Sequence, residues 1–282
     1  MRRINTKTDA IAKHVNAVKA RIAKNYNESD ILNDLQPLGI DSIDGFIAAD
    51  IDTMKEWVRL SPEKLQFTCF KEIYSNYFCN GSSVFVDGNY NAYTFLRDLD
   101  ITVCPYCDDE YLDIIDRDES SVRTSEIDHF FPKSKYPALA MCYYNLIPSG
   151  QNCNGLKKEH EIGVNPHERD IESLTWLHPD IPVGVNIVNI APAECIVHFH
   201  PYGGMERNVD IFGLEQRYKR HASEAHRLLL NMQNLTEEKI AELVKMGVGT
   251  RDEIISNFFG PQKPDEKKKT LRQKMLHDIT GY

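Results

Sequence analysis

The chain of 282 residues is long enough for one large domain or two to three small ones, and its 41% hydrophobic content suits a packed core rather than overall disorder. Its net charge of -9 opposes unaided binding to a nucleic-acid backbone, where affinity comes largely from Lys and Arg displacing counterions. No apolar run approaches the roughly 18–20 residues that span a bilayer, and the N-terminus has no signal-peptide core, so a cytoplasmic location without membrane contact is expected.

Over residues 8–24, Ile11, Val15, Val18 and Ile22 recur at helical spacing with cations on the other faces. This reads first as an amphipathic helix docked by its Ile/Val stripe. The sharper alternative is a basic arm that touches nucleic acid or a partner, because Arg2, Arg3, Lys7, Lys13, Lys19, Arg21 and Lys24 face a single acid, Asp9. Residues 25–100 read as helical and loop-rich. Ser61 and Pro62 supply an N-cap and a first-turn proline for a helix carrying Leu65, Phe67, Phe70, Ile73 and Tyr74, and Phe95, Leu96 and Leu99 add a short apolar helix. Cys69 and Cys79, set among aromatics, read as buried thiols.

The stretch from Cys104 to Lys158 carries the chemistry. Seven cysteines in a chain without a secretion signal argue for reduced thiols or metal ligands, and Cys104 and Cys107 form a CxxC. Residues 126–131 (Glu-Ile-Asp-His-Phe-Phe) read as a strand stopped by Pro132, with Lys133, Ser134 and Lys135 opening a polar loop. Residues 143–148 read as a second strand, 149–151 as a turn and 154–161 as a helix. In that arrangement the Asp128 carboxylate and the Asn154 side-chain oxygen can hold one hard divalent cation. His129, with an ordinary pKa near ~6.5, is left as a base for water. Adjacent strand residues point to opposite faces, so Asp128 and His129 share a cleft only where the strand ends or bends. Asn145 can hold the loop or orient His129, and Lys157, one helical turn beyond Asn154, can reach a phosphate.

Residues 185–190 and 194–200 alternate around Ala191-Pro192-Ala193, which predicts a hairpin with His198 and His200 on one face and no carboxylate beside them. Residues 214–232 predict one helix, Thr250 to Glu253 is a T-x-x-E capping box, Gly247 and Gly260 end helices, and 263–274 reads as a mixed-charge tail. No Walker A motif and no dinucleotide fingerprint are present.

Taken in order, Cys104-Pro105-Tyr106-Cys107, then Asp128-His129-Phe130-Phe131-Pro132-Lys133-Ser134-Lys135-Tyr136-Pro137, then Asn145-Leu146-Ile147-Pro148-Ser149, then Cys153-Asn154 with Lys157, resemble the HNH nuclease family. More narrowly they look like the branch that contains the PtuB subunit of Septu anti-phage systems and retron-associated nucleases. The resemblance does not reach residues 1–100. It implies a ββα-metal core over 101–170; with the helices and hairpin read from spacing, the expected fold is α+β and mostly helical, with a helical region over 1–100 as a candidate docking surface for a partner and a hairpin with helices over 171–282. It implies Asp128 and Asn154 as ligands of Mg²⁺ or Mn²⁺, His129 as general base and Asn145 as the residue positioning it. Lys133, Lys135 and Lys157 are the expected nucleic-acid contacts.

The family pattern usually closes a four-cysteine zinc knuckle. Here Cys104, Cys107 and Cys153 supply three thiolates and Gly150 stands where the fourth cysteine is expected, leaving Cys142 or His160 as substitutes without the family spacing. The resemblance also implies an ABC-type ATPase partner (PtuA-like), a DNA or RNA substrate and, in retrons, a reverse transcriptase with its DNA-RNA product. The competing reading is a non-catalytic zinc-knuckle adaptor that binds nucleic acid or a partner protein.

Overall fold

The computed structural model describes residues 1–79, 90–118 and 121–282, so 80–89 of the expected helical stretch lies outside the described residues. Side-chain caps start many of the helices. Asn27 caps α2 (Glu28–Leu35), Ser42 caps α3 (Ile43–Ile47), Asp50 caps α4 (Ile51–Leu60) and Asn91 caps α6 (Ala92–Leu99), each side-chain oxygen accepting a first-turn N–H. The long first helix α1 (Thr8–Asn25) has no such cap and is held by its apolar stripe: Val15, Val18 and Ile22 are buried.

The expected helix after Ser61 is interrupted. Pro62–Leu65 is one 3-10 turn, and the Gln66 side-chain Nε2 donates to Pro62 O at 3.0 Å, taking the carbonyl that a continuing helix would use. The chain restarts as α5 (Cys69–Ile73) and widens into a π turn over Tyr74–Phe78, which places Tyr74.

Among the described residues, three antiparallel two-stranded sheets sit among the helices: β1 (Ile114–Asp116) with β2 (Ser121–Arg123), β3 (Ser125–His129) with β4 (Leu146–Gly150), and β5 (Thr175–Pro179) with β6 (Val197–Pro201). The chain is therefore α+β and mostly helical. The second strand of the central hairpin begins three residues later than expected, because Tyr143–Asn145 forms a 3-10 turn closed by Asn145 N on Cys142 O. Helix α7 (Gln151–Lys157) follows without an intervening turn and packs on β3 and β4. It stops at Lys157, short of the expected Glu161, because Lys158 turns to φ +47°.

The predicted hairpin over 185–200 is not formed. Asn186 caps a 3-10 turn at Ile187–Asn189, and β6 pairs instead with β5, Leu177 facing Phe199. That register puts His198 opposite His178. His198 also has carboxylates beside it, Glu215 at 3.6 Å and Asp180 at 4.0 Å, contrary to expectation.

The predicted helix over 214–232 is divided into α9 (Leu214–Tyr218), a 3-10 turn and α10 (Ala222–Asn234). Helices α8 (Met205–Ile211), α11 (Glu237–Lys245), α12 (Arg251–Phe259) and α13 (Pro264–Lys268) complete this part, with the Thr250/Glu253 capping box and the left-handed Gly247 and Gly260 formed as expected. The expected mixed-charge tail is structured: α14 (Gln273–Thr280) packs on β5 and α10, and Asp278 Oδ2 accepts Leu177 N at 2.9 Å.

His14 shows how α1 is held. Its Nε2 donates to Met141 O at 2.9 Å, so Nδ1 accepts from Tyr90 Oη at 2.7 Å, and the ring is enclosed by Phe78, Phe95 and Tyr143. Burial lowers its pKa from 6.5 to about 4. The unfolded chain therefore binds this proton at a higher pH than the folded chain. Its contribution to stability is full above pH 6.5 and is lost as the pH falls toward 4, up to about 3 kcal/mol. Urea unfolding followed from pH 7 to 4 should show this loss in the wild type and a shallower loss in His14→Gln; parallel curves would show that His14 does not titrate in this window.

Candidate active site and metal centre

Strand β3 delivers Asp128 and His129 as its last two residues, both almost fully buried. Their side chains make different contacts, as strand alternation requires. Tyr106, from the CxxC turn, donates its hydroxyl to Asp128 Oδ2 at 2.6 Å. Lys157, the last residue of α7, places Nζ 3.3 Å from Asp128 Oδ1, 3.2 Å from Oδ2 and 2.6 Å from the His129 carbonyl oxygen. Burial raises the Asp128 pKa, while Lys157 and the Tyr106 hydrogen bond oppose that rise.

His129 donates Nε2–H to Ala140 O at 3.1 Å, which fixes the neutral tautomer and leaves Nδ1 as an acceptor without a partner among the described residues. Its ring meets Tyr74 edge to face at 4.4 Å, and Tyr74 Oη donates to Ile127 O at 3.0 Å. Burial, followed by the charge on Lys133, holds the imidazole pKa well below its ordinary value. The ring is therefore uncharged at neutral pH.

Asn145 is fully buried and its amide is used on the loop after His129. Oδ1 accepts Phe131 N at 2.7 Å, and Nδ2 donates to Phe131 O at 3.2 Å and Leu139 O at 2.9 Å. Among the described contacts it holds that loop and does not bond His129 directly. Asn154 is half-buried on α7, one turn before Lys157 on the same helix face, and its side chain has no hydrogen bond among the described residues.

The lysines divide. Lys135 is exposed, with its Nζ 3.4 Å from Glu161, and Lys133 lies 5.1 Å from the Tyr74 ring centre. Lys157, expected at a phosphate, is fully buried and spends its charge on Asp128. The reason is its place at the end of a short helix packed directly on β3.

The sulfurs of Cys104, Cys107 and Cys153 lie within 4.8 Å of one another, all buried. The proposed substitutes fall elsewhere: Cys142 Sγ donates to Phe46 O at 3.4 Å, and His160 is exposed. Arg217 on α9 places Nη1 3.2 Å from Cys153 Sγ, and Tyr218 Oη donates to Cys107 O at 2.7 Å. Phe212 stacks on Tyr106 at 4.5 Å. Hydrogen bonds from Cys104 and Cys153 lower the Cys107 pKa, while burial raises that of Cys104. Three soft thiolate donors in a closed pocket suit zinc and leave one of its four positions to fill.

Sequence reasoning passed over Tyr74, Tyr106 and Arg217. Tyr106 lies inside the CxxC, so position offered a signal for it, whereas Arg217 stood among the other charges of the helix expected over 214–232. Tyr74 offered none, since a π turn 55 residues upstream brings it to His129.

Replacing Lys157 by Met should lower folding stability by about 3–5 kcal/mol, because it leaves the Asp128 carboxylate buried without its cation. Urea denaturation of the two proteins measures this, and a loss below about 1 kcal/mol would show that Asp128 does not carry a charge that needs Lys157.

Compared with known proteins, the chain is 34% identical over 87 residues to the Septu protein PtuB of Bacillus thuringiensis, a stretch covering 31% of this chain and 30% of that protein. The chain is thus matched over less than a third of the length of this curated relative. No family model and no solved structure matches it.

Proposed function

We propose that the chain is a metal-dependent endonuclease of the HNH type, cleaving nucleic-acid phosphodiesters as the effector subunit of a Septu-like anti-phage complex. The observation that carries this reading is His129: a neutral imidazole at the end of a β-strand, its Nε2–H committed to Ala140 O and its Nδ1 left as acceptor. The hairpin β3–β4 followed by α7 has the order of a ββα-metal core, and the likeness to PtuB supports the Septu context.

Each residue then has a task. His129 Nδ1 accepts the proton of the attacking water, and the Ala140 carbonyl holds the ring in the tautomer that makes this possible. Asn145 keeps the loop from Phe131 to Leu139 in place, and with it the carbonyl of Ala140. Asp128 and Asn154 offer oxygen donors for Mg²⁺ or Mn²⁺. The donor chemistry fits a hard cation, Asn154 having its side chain free of protein partners among the described residues. Such an ion supplies stabilisation of the charge growing on the phosphate and leaving-group oxygens. Lys133 and Lys135, on the loop after the strand, are the cations that would meet the backbone of DNA or RNA. An ABC-type ATPase (PtuA-like) is the proposed partner; in a retron setting a reverse transcriptase with its DNA-RNA product would join it.

One observation favours the second reading, an adaptor without turnover. Lys157 already neutralises Asp128, which weakens the attraction of that carboxylate for a second cation. Cleavage of plasmid, single-stranded DNA and RNA with Mg²⁺ or Mn²⁺, with and without the ATPase subunit, separates the two. The nuclease reading expects cleavage by the wild type and a loss of at least about 100-fold in His129→Ala. Nucleic-acid binding without cleavage, or full activity in the mutant, would favour the adaptor.

A further inference from the structure

We infer that Glu110 is the fourth ligand of the cysteine site, making it a Cys₃Glu centre for Zn²⁺ in which the carboxylate takes the place of the missing cysteine at position 150. This rests on the reading of Cys104, Cys107 and Cys153 as a zinc site and is independent of the nuclease activity.

A Cβ built on Gly150 would lie 2.1 Å from the Glu110 carboxylate carbon, 2.1 Å from its Oε2 and 2.6 Å from its Oε1. The carboxylate thus fills the space that a side chain at 150 would enter, and a glycine there is what allows it. The same glycine donates its N–H to Cys104 Sγ at 3.3 Å, so the carboxylate and the thiolate cluster border one residue.

Local structure brings Glu110 there. The CxxC loop closes on itself through Cys104 N on Glu110 O at 2.9 Å and the bridge between Val103 and Tyr111, which sets Glu110 directly across from Cys104. Its Oε2 is shut off from solvent and has no hydrogen-bond partner among the described residues. A buried carboxylate oxygen with no donor is costly, and a cation in the adjacent cluster is the partner that would satisfy it.

The chemistry is consistent. Zinc accepts carboxylate oxygen beside thiolate sulfur, and its structural sites are almost always four-coordinate. Three thiolates and a carboxylate place four negative charges on a divalent ion. The Arg217 guanidinium, 3.2 Å from Cys153 Sγ, offsets part of that excess from outside the ligand shell. Glu110 is not within the 4.8 Å cluster formed by the three sulfurs, so ligation takes a rotation of its side chain toward them.

The full-length protein, Glu110→Ala and the double variant Glu110→Ala/Gly150→Cys are purified, and each is measured for bound zinc, for zinc affinity by competition with a chelator, and for the spectrum of its Co²⁺ form. Circular dichroism checks that each is folded. The expected results are one zinc per wild-type chain and a loss of affinity of about 100-fold or more in Glu110→Ala. The double variant should recover tight binding with a stronger thiolate-to-Co²⁺ charge-transfer band, reporting four sulfurs instead of three. The wild-type Co²⁺ form should show the band of three. A folded wild type that binds no zinc would overturn both the site and the ligand. Zinc bound with unchanged affinity and an unchanged Co²⁺ spectrum in folded Glu110→Ala would overturn Glu110 alone. If Glu110→Ala does not fold, a wild-type Co²⁺ spectrum with four sulfurs, or none, overturns the assignment.

Discussion

The ammonium of Lys157, buried against Asp128 and the carbonyl of His129, is the constraint on which the centre of the molecule depends. Two charges taken out of water cost several kcal/mol each unless they meet one another in good geometry. Here the cost is offset only when α7 lies against the end of β3 in one position, since the same Nζ reaches the carboxylate and the neighbouring backbone oxygen. A helix of seven residues has little stability alone, so its place is set by such contacts rather than by propensity. Asn154 and Cys153 travel with it: the first one turn before Lys157, the second into the thiolate cluster.

A second layer ties that centre to both ends of the chain. Asp108, the residue after the CxxC, is buried in a left-handed conformation and pairs with Arg2, while its carboxylate accepts Lys274 N at 2.8 Å and its carbonyl accepts Arg272 N at 2.5 Å. Asp109 meets Arg220, His221 and Arg272. The acids that follow the cysteine turn therefore collect the N-terminal arm, α9 and its following turn, and α14 around it. The turn is held from outside as well as by its own loop bonds, which is what a metal centre with one unusual ligand would need.

The cations of the first helix illustrate how little a local charge count says about binding. Lys13 pairs with Asp98, Lys19 with Asp44, and Arg21 lies over the Tyr77 ring at 4.0 Å. These charges face acids and rings from distant parts of the chain, so the segment acts as a docked helix whose Ile/Val stripe and His14 enter the core. Periodicity could show the stripe; only the positions of Asp44 and Asp98 could show where the charges go.

Local chemistry determined what local chemistry can decide: the stripe of α1, the capping box of α12, the glycines that end α11 and α12, the strand that stops after His129, and the grouping of Asp128, His129 and Asn145 around one hairpin. These follow from spacing and from which side chains compete for backbone hydrogen bonds within a few residues. What lies across the chain was decided by packing. Lys157 turned inward to pair with the buried Asp128, the hairpin expected over 185–200 gave way to β5–β6 because Asn186 drew its own turn, and Tyr74 came to His129 through a π turn. The open fourth position of the cysteine cluster was visible at Gly150, but the side chain beside it was not. Glu110 is 40 residues away in sequence, and only the closure of the CxxC loop against β4 sets its carboxylate in the space that glycine leaves.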